Sequence, residues 1–576
     1  MECSICMSGY SLSDRVPKVL KCGHTFCAVC IAQLRLSSGR VHCPTCRQDT
    51  ADAEVRTNFA VQDALAAGNT GGAAVSVPQP APQGPILEAP TTEDVDVAVT
   101  VAALPPFAAL DAVLGGAPAA AEGSVDVMVS LKPPEGCNRT PVDICCIVDV
   151  SDSMGTEAMA QDGAGASVSH GLALLDIVKH ALRTIVHNLK DCDRLALVAY
   201  ANSARVVAEL TVMSEAGRRD VERRLQLLIL DGMTNLWAGL QMGVELLGKA
   251  ASPGRLQHVL LLTDGVPNLN PPRGIIPMLK RLKDKAPGGN LPCTINTFGF
   301  GYELDSELLS EIARISQGAY AFIPDAGFVG TVFVNAMTNL LVTMARNATL
   351  TLEPLNDASF AMISDRHGSP VHGGLPWSTC GAHLKVDLAT LQFGQSRDVV
   401  VRMRVPDQSR DWLRVQVCYE TRALNSAQER VVVAGGHLHR GGMEAAVQVN
   451  RVRAAFVGTI GQAMKTAKLT GLEKLQGKAL PLPEAQVIIE ALDAAIASSG
   501  VCQTEAVEAL VEDLRGQVAE AFSKEEWYTK WGIHFLPSLM HAHSAQQCNN
   551  FKDPGVQHYG GELFNSLRDT ADDIFS

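Results

Sequence analysis

The chain has 576 residues, 47% of them hydrophobic, and a formal net charge of −13. It is too long for one ordinary core, so roughly two to four domains are expected. The acidic balance argues against a general nucleic-acid surface, and no nucleic-acid partner is expected.

The first residues, MECSICMSGY, lack a basic segment followed by an apolar run, so no secretory leader is read there. No apolar stretch is long enough to span a membrane; LQHVLLLTDG stops at an aspartate. An intracellular, chiefly cytoplasmic location is expected, with the nucleus left open. Of the 16 cysteines, seven precede Asp49 and the rest are scattered, unlike a secreted disulfide scaffold.

Those early cysteines are the most specific pattern in the chain. Cys3-x2-Cys6 is followed by Cys22-x-His24-x2-Cys27-x2-Cys30 and then by Cys43-x2-Cys46. Eight soft or borderline ligands suffice for two closed tetrahedral zinc sites. So short a segment buries little apolar surface, and metal binding supplies much of its folding free energy.

Residues 1–56 resemble a RING finger with seven cysteines and one histidine. The resemblance implies cross-braced ligation of two Zn²⁺: Cys3, Cys6, Cys27 and Cys30 on one ion, Cys22, His24, Cys43 and Cys46 on the other. It also implies a shallow apolar groove of Ile5, Leu34 and Pro44 for a ubiquitin-charged conjugating enzyme. Arg47 would bridge that enzyme and ubiquitin. No covalent catalytic residue is implied, because such a domain positions a thioester for attack by a substrate lysine. The tryptophan that many RING fingers carry in this region is absent.

Residues 57–123 read as a short helix, NFAVQDALAAG, and an Ala/Pro/Gly-rich tether including PQPAPQGP. Residues 124–345 then alternate strand and helix patterns, including VDVMVSL, GLALLDIVKHALRTIVHNL, DRLALVAY and LQHVLLLTDG. This predicts a doubly wound α/β sheet.

Its centre is PVDICCIVDVSDSMG, from Pro141 to Gly155. Val142 to Val148 suit a buried parallel strand, and Asp149, Ser151 and Ser153 follow on the exit loop. Oxygen ligands at the carboxyl end of a central strand suit a hard divalent cation; the alternative is a capped strand-to-helix turn. Thr234 in GMTN and Asp264 in LLTDG return to the same crevice, and Thr234 is also a candidate helix cap.

From about Pro141 to Met344 the chain resembles the von Willebrand factor type A (vWA) domain. The resemblance implies a metal-ion-dependent adhesion site of Asp149, Ser151, Ser153, Thr234 and Asp264 holding Mg²⁺ or Mn²⁺. An acidic partner residue would complete the coordination. Asp152 stands where the family often has glycine, and its charge opposes an acidic partner. The insertion TEAMAQDGAGASVSH is expected near the metal rim. His170, His180 and His258 read as structural or solvent-facing.

Residues 346–444 read as a β-rich accessory domain, 445–525 as helical, and 526–576 as an aromatic C-terminal extension. Adjacent pieces are candidates to complete a sandwich around the strands that precede the central domain. Trp527, Tyr528, Trp531, His534 and Phe535 are expected to pack on the body. His541, His543 and Cys548 have weak metal spacing. The whole resembles intracellular ubiquitin ligases that join a RING or U-box to a vWA domain, with a protein substrate unidentified. The alternative is a nonenzymatic, metal-dependent scaffold.

Overall fold

The computed structural model describes residues 3, 5, 10–11, 13–21, 25–35, 40–43, 49–51, 55–57, 94–102, 104, 124–136, 139–161, 167–250, 254–325, 328–361, 375–421, 427–435, 444–469, 478–499 and 504–575. The chain divides into two compact units. One comprises residues 1–90, 159–172 and 572–576; the other comprises 91–158 and 173–571.

In the first unit, Thr25–Cys27, Pro17–Val19 and Arg56–Thr57 form a three-stranded antiparallel sheet. The helix Ala28–Gln33 follows the Thr25–Cys27 strand directly, and Arg40–His42 pairs with Asp49–Ala51. Among the described residues, Cys3, Cys27, Cys30 and Cys43 are buried with Leu20, Phe26, Ile31 and Val41, and Ile5, Tyr10, Leu34 and Val55 pack against them. A segment this short buries little apolar surface. The insertion after the Asp149 loop forms a ribbon of Glu157–Gln161 and Ser167–Ala173.

The second unit is built on a six-stranded sheet. Its strands are β1 (Val142–Asp149), β2 (Arg194–Tyr200), β3 (Ala204–Val212), β4 (Leu256–Thr263), β5 (Thr294–Phe300) and β6 (Tyr320–Ile323). The order is β3-β2-β1-β4-β5-β6, all parallel except the edge strand β3, which runs antiparallel to β2. The helices are α1 (Leu174–Asn188), α2 (Glu215–Gln226), α3 (Leu236–Lys249), α4 (Ile275–Lys285), α5 (Ser306–Ile315) and α6 (Val329–Leu341). β1 is buried at every position, as a strand covered on both faces must be. Cys145 and Ile147 pack with Leu240 of α3 and Leu279 of α4. On another part of the sheet Phe298 stacks on Phe333 of α6 at 4.5 Å between centroids.

Helix α6 runs into Thr343–Pro354, the middle strand of a five-stranded sheet. A four-stranded sheet, ordered Ser359–Phe360, Arg397–Arg404, Ser124–Lys132 and Asp96–Ala102, completes the β-rich region. Val127, Val129, Val399 and Val401 share a core with Leu350, Leu384, Val415 and Trp412. Ser124–Lys132, the strand preceding the central domain, pairs along its length with Arg397–Arg404, in the sandwich the sequence allowed for. Asp96–Ala102, inside the stretch read as tether, is a strand on its other side. Its alternating β-branched residues find a partner that a one-dimensional reading does not supply.

The C-terminal helices form one core. Phe456 and Leu492 pack with Phe522, Tyr528, Leu536, Tyr559 and Phe564, so the aromatic extension is interior to the same body as the helices before it. No described helix is long and apolar enough to cross a membrane.

Candidate metal centres

The Sγ atoms of Cys3, Cys27 and Cys30 lie within 4.8 Å of one another, and all three residues are buried. The turn between Thr25–Cys27 and the following helix places Cys27 and Cys30 on one side, and Cys3 reaches them from the amino terminus. The Cys27 amide donates to Cys3 Sγ at 3.1 Å, which favours the thiolate form. Soft sulfur donors converging in a dry site are the chemistry of Zn²⁺. Cys43, which the RING resemblance gives to the other ion, is buried in the same small core. Cys6, Cys22, His24, Cys46, Pro44 and Arg47 lie outside the described residues. Ile5 and Leu34 are partly buried and pack against this core.

The second centre lies at the carboxyl ends of β1, β2 and β4. Register brings Tyr200 opposite Asp149, and Leu262 opposite Val148, so Thr263 and Asp264 leave β4 where the Asp149 loop begins. Asp149 Oδ2 accepts hydrogen bonds from Thr263 Oγ1 at 2.6 Å and Tyr200 OH at 3.0 Å. Its Oδ1 accepts from the Ser151 amide at 2.9 Å. Ser153 Oγ donates to Asp264 Oδ1 at 2.9 Å and lies 3.1 Å from Ser151 Oγ. Asp149, Ser151, Ser153 and Asp264 are thus brought together.

Thr234 is buried at the start of α3. The cap itself belongs to Asn235, whose Oδ1 accepts from the Ala238 amide at 3.1 Å. The Thr234 hydroxyl is therefore not engaged as the helix cap. Its backbone is tied to the loop after Asp264: Asn268 Oδ1 accepts from the Thr234 amide at 2.8 Å, and the Thr234 carbonyl accepts from Asn268 and Leu269. Asp152 is exposed, and its Oδ1 accepts from the Gly232 amide at 3.1 Å.

Burial pushes the Asp149 carboxyl up; hydrogen bonds from Ser151, Thr263 and Tyr200 oppose the shift. Burial, followed by the nearby Asp149 charge, raises Asp264 to about 7. Two facing carboxylates with few compensating charges are stabilised by a cation. The donor set is all oxygen, which suits Mg²⁺ or Mn²⁺ rather than a thiophilic ion.

Tyr200, Thr263 and Asn268 were not singled out from sequence. Tyr200 closes an apolar strand and Thr263 merely precedes Asp264; only parallel register shows that both face Asp149. Two of the histidines are buried away from both centres. His258 is buried, its Nδ1 2.8 Å from Thr294 Oγ1, and burial lowers its pKa to about 3. His543 Nδ1 lies 3.0 Å from Tyr559 OH, and the Cys548 thiol donates to the Asn550 carbonyl. Burial pushes Cys548 up to about 11, so it is a poor ligand.

Comparison with known proteins agrees with both centres' folds. The model described as "Ring finger domain" matches residues 1–47. That for the von Willebrand factor type A domain matches 143–333, and one described as "VWA / Hh protein intein-like" matches 504–573. The chain therefore carries an N-terminal RING finger followed by a vWA domain.

Among individual proteins, the human E3 ubiquitin-protein ligase RNF152 is 51% identical over 47 residues, 8% of this chain and 23% of that protein. The uncharacterized protein sll0103 of Synechocystis is 25% identical over 289 residues, covering 50% of this chain and 63% of its own. In both, the match spans less than two thirds of the relative. A solved von Willebrand factor type A protein from Catenulispora acidiphila is 16% identical with a TM-score of 0.49, covering 73% of this chain and 89% of its own.

Proposed function

We propose that this protein is a RING-type E3 ubiquitin-protein ligase whose vWA domain recruits a protein substrate or regulator. The observation that carries the ligase reading is the Cys3, Cys27 and Cys30 cluster within a segment that matches the RING family and half-matches, residue for residue, a named E3 ligase.

In this reading Cys3, Cys6, Cys27 and Cys30 hold one Zn²⁺, and Cys22, His24, Cys43 and Cys46 the other. Zinc neutralises the thiolates and supplies folding energy that so short a segment lacks. Ile5, Leu34 and Pro44 form the groove for the conjugating enzyme, and Arg47 orients ubiquitin. The domain contributes no nucleophile. Holding the thioester in one orientation lowers the entropic cost of attack by the substrate amine.

At the vWA domain, Asp149, Ser151, Ser153, Thr234 and Asp264 would hold Mg²⁺ or Mn²⁺. The ion would neutralise the buried carboxylates and present a Lewis-acidic position on the recruiting face. Tyr200 and Thr263 orient Asp149 through its Oδ2 atom.

The test is discharge of charged ubiquitin across a panel of conjugating enzymes, comparing wild type with Ile5→Ala and Arg47→Ala. Wild type accelerates discharge with at least one enzyme and both variants are slow. Folded, zinc-loaded chain that accelerates none of them overturns the reading.

A further inference from the structure

A buried guanidinium is ordinarily matched by a carboxylate, because an uncompensated charge in the interior is costly. Arg139 meets Asp193 in this way, and Arg402 and Arg451 meet Asp126. Arg397, at the start of the strand Arg397–Arg404, is 4% exposed and meets no carboxylate among the described residues. Its Nη2 donates to the Leu388 and Thr390 carbonyls at 3.2 and 3.1 Å. A guanidinium carries five N–H donors, and those on Nε and Nη1 of Arg397 are buried with no acceptor.

The charges around Arg397 do not offset its own. Burial, and next the positive Arg453, pull its pKa to about 9, so it stays protonated at neutral pH. Arg453 is buried on the helix Glu444–Thr466 and gives its donors to Asn450 Oδ1 and to the His543 and Asp398 carbonyls. The neighbouring acids are engaged elsewhere. Asp398 Oδ2 accepts from Asn450 Nδ2 at 3.3 Å, Asp126 holds Arg402 and Arg451, and the exposed Glu135 lies against Gly394. Gln395 joins Arg397 in the interior: both are buried and Ser396 between them is exposed, so the two side chains share the inward face. Both Oε1 and Nε2 of Gln395 are buried without a hydrogen-bond partner. The helix Ile533–Ala545 comes within electrostatic reach, because burial and then the Arg397 charge lower the pKa of His541 to about 4.

We propose that Arg397 and Gln395 bind a small monovalent anion of halide size, namely chloride. The anion accepts N–H donors from the guanidinium and from the Gln395 amide, and offsets a charge that no carboxylate meets. Exposures of 4% for Arg397 and 3% for Gln395 admit a bare ion and not a hydrated phosphate. The ion is a structural cofactor. It holds the β-rich region, through Arg397, to the two helices that carry Arg453 and His541.

The experiment uses the full-length, zinc-loaded chain in sodium gluconate, into which sodium chloride, bromide or phosphate is titrated at constant ionic strength. Calorimetry reads the melting temperature. Chloride and bromide raise it by several degrees and the rise saturates in the low millimolar range, as binding to the folded state requires, whereas phosphate at the same concentrations does not. Arg397→Gln keeps an amide donor toward the two carbonyls, removes the charge and abolishes the rise. Gln395→Leu leaves the charge in place and moves half-saturation about fivefold higher. A crystal soaked in bromide shows an anomalous peak within hydrogen-bonding distance of the Arg397 guanidinium. A melting temperature indifferent to halide, an equal response to phosphate, a rise that persists in both variants, or water alone beside Arg397 each overturn the proposal. Ubiquitin discharge plays no part in these readouts, so their failure leaves the ligase reading standing.

Discussion

Ser153 donates a hydrogen bond to Asp264 at 2.9 Å, across 111 residues of sequence. The contact joins the exit of β1 to the exit of β4 and closes an oxygen-lined site over two acidic side chains. Asp264→Asn removes one of two buried, mutually repelling charges. In EDTA at pH 8, where Asp264 is ionised, the variant melts several degrees higher than wild type. Mg²⁺ or Mn²⁺ raises the melting temperature of wild type and leaves the variant unmoved. Differential scanning calorimetry with and without metal reads both effects.

The cysteine centre gives the opposite response to ligand loss. Cys27→Ser removes a proposed zinc ligand and opens the small core it shares with Phe26 and Ile31. Zinc content by mass spectrometry falls by about one equivalent, and the NMR dispersion of the N-terminal segment collapses. Calorimetry of the remaining body is unchanged. Retention of both zinc ions with a dispersed spectrum contradicts the ligand assignment.

A buried ionic lock ties the β-rich region to its helix. Asp126 is fully buried and accepts two hydrogen bonds from Arg402, each at 2.9 Å, while Arg451 of Glu444–Thr466 approaches at 3.4 Å. Asp126→Ala leaves two guanidinium groups facing each other with no carboxylate between them. The expected loss is about 3–5 kcal/mol. Hydrogen exchange of the strands Ser124–Lys132 and Arg397–Arg404 measures it locally.

The C-terminal helices carry a pH dependence of their own. Burial, followed by the Asp553 charge, raises Asp513 to about 8, although the Gly555 amide donates to it at 2.8 Å. Unfolding returns it to the ordinary value of 3.8. Between these values the folded chain holds a proton that the unfolded chain has released, so its stability falls as pH rises and levels off above about 8. Asp513→Asn flattens this slope. Urea denaturation from pH 5 to pH 9, followed by Tyr and Trp fluorescence, distinguishes the two curves.

How much was legible in advance follows from the range of the interactions. The cysteine pairs are local, and their spacing names the chemistry before any folding is considered. The apolar run before Asp149 marks a central strand because only a doubly covered strand tolerates it. The strand Asp96–Ala102 was hidden because its partner, Ser124–Lys132, is separated from it by Pro- and Ala-rich sequence. Asn235, not Thr234, caps α3, and this depends on a one-residue difference in where the helix begins. No periodicity resolves such a difference.

The sequence alone determined that cysteine and histidine ligands cluster at the amino terminus and that an Asp-x-Ser-x-Ser loop leaves a buried strand. Composition and short-range spacing are properties of neighbouring residues, so they survive without coordinates. Tertiary structure decided what surrounds those ligands. Parallel register sets Tyr200 and Thr263 on Asp149, and the packing of the β-rich region buries Arg397 with no carboxylate beside it. These are relationships between elements far apart in the chain. Their energies depend on burial and distance, which exist only once the sheet has closed.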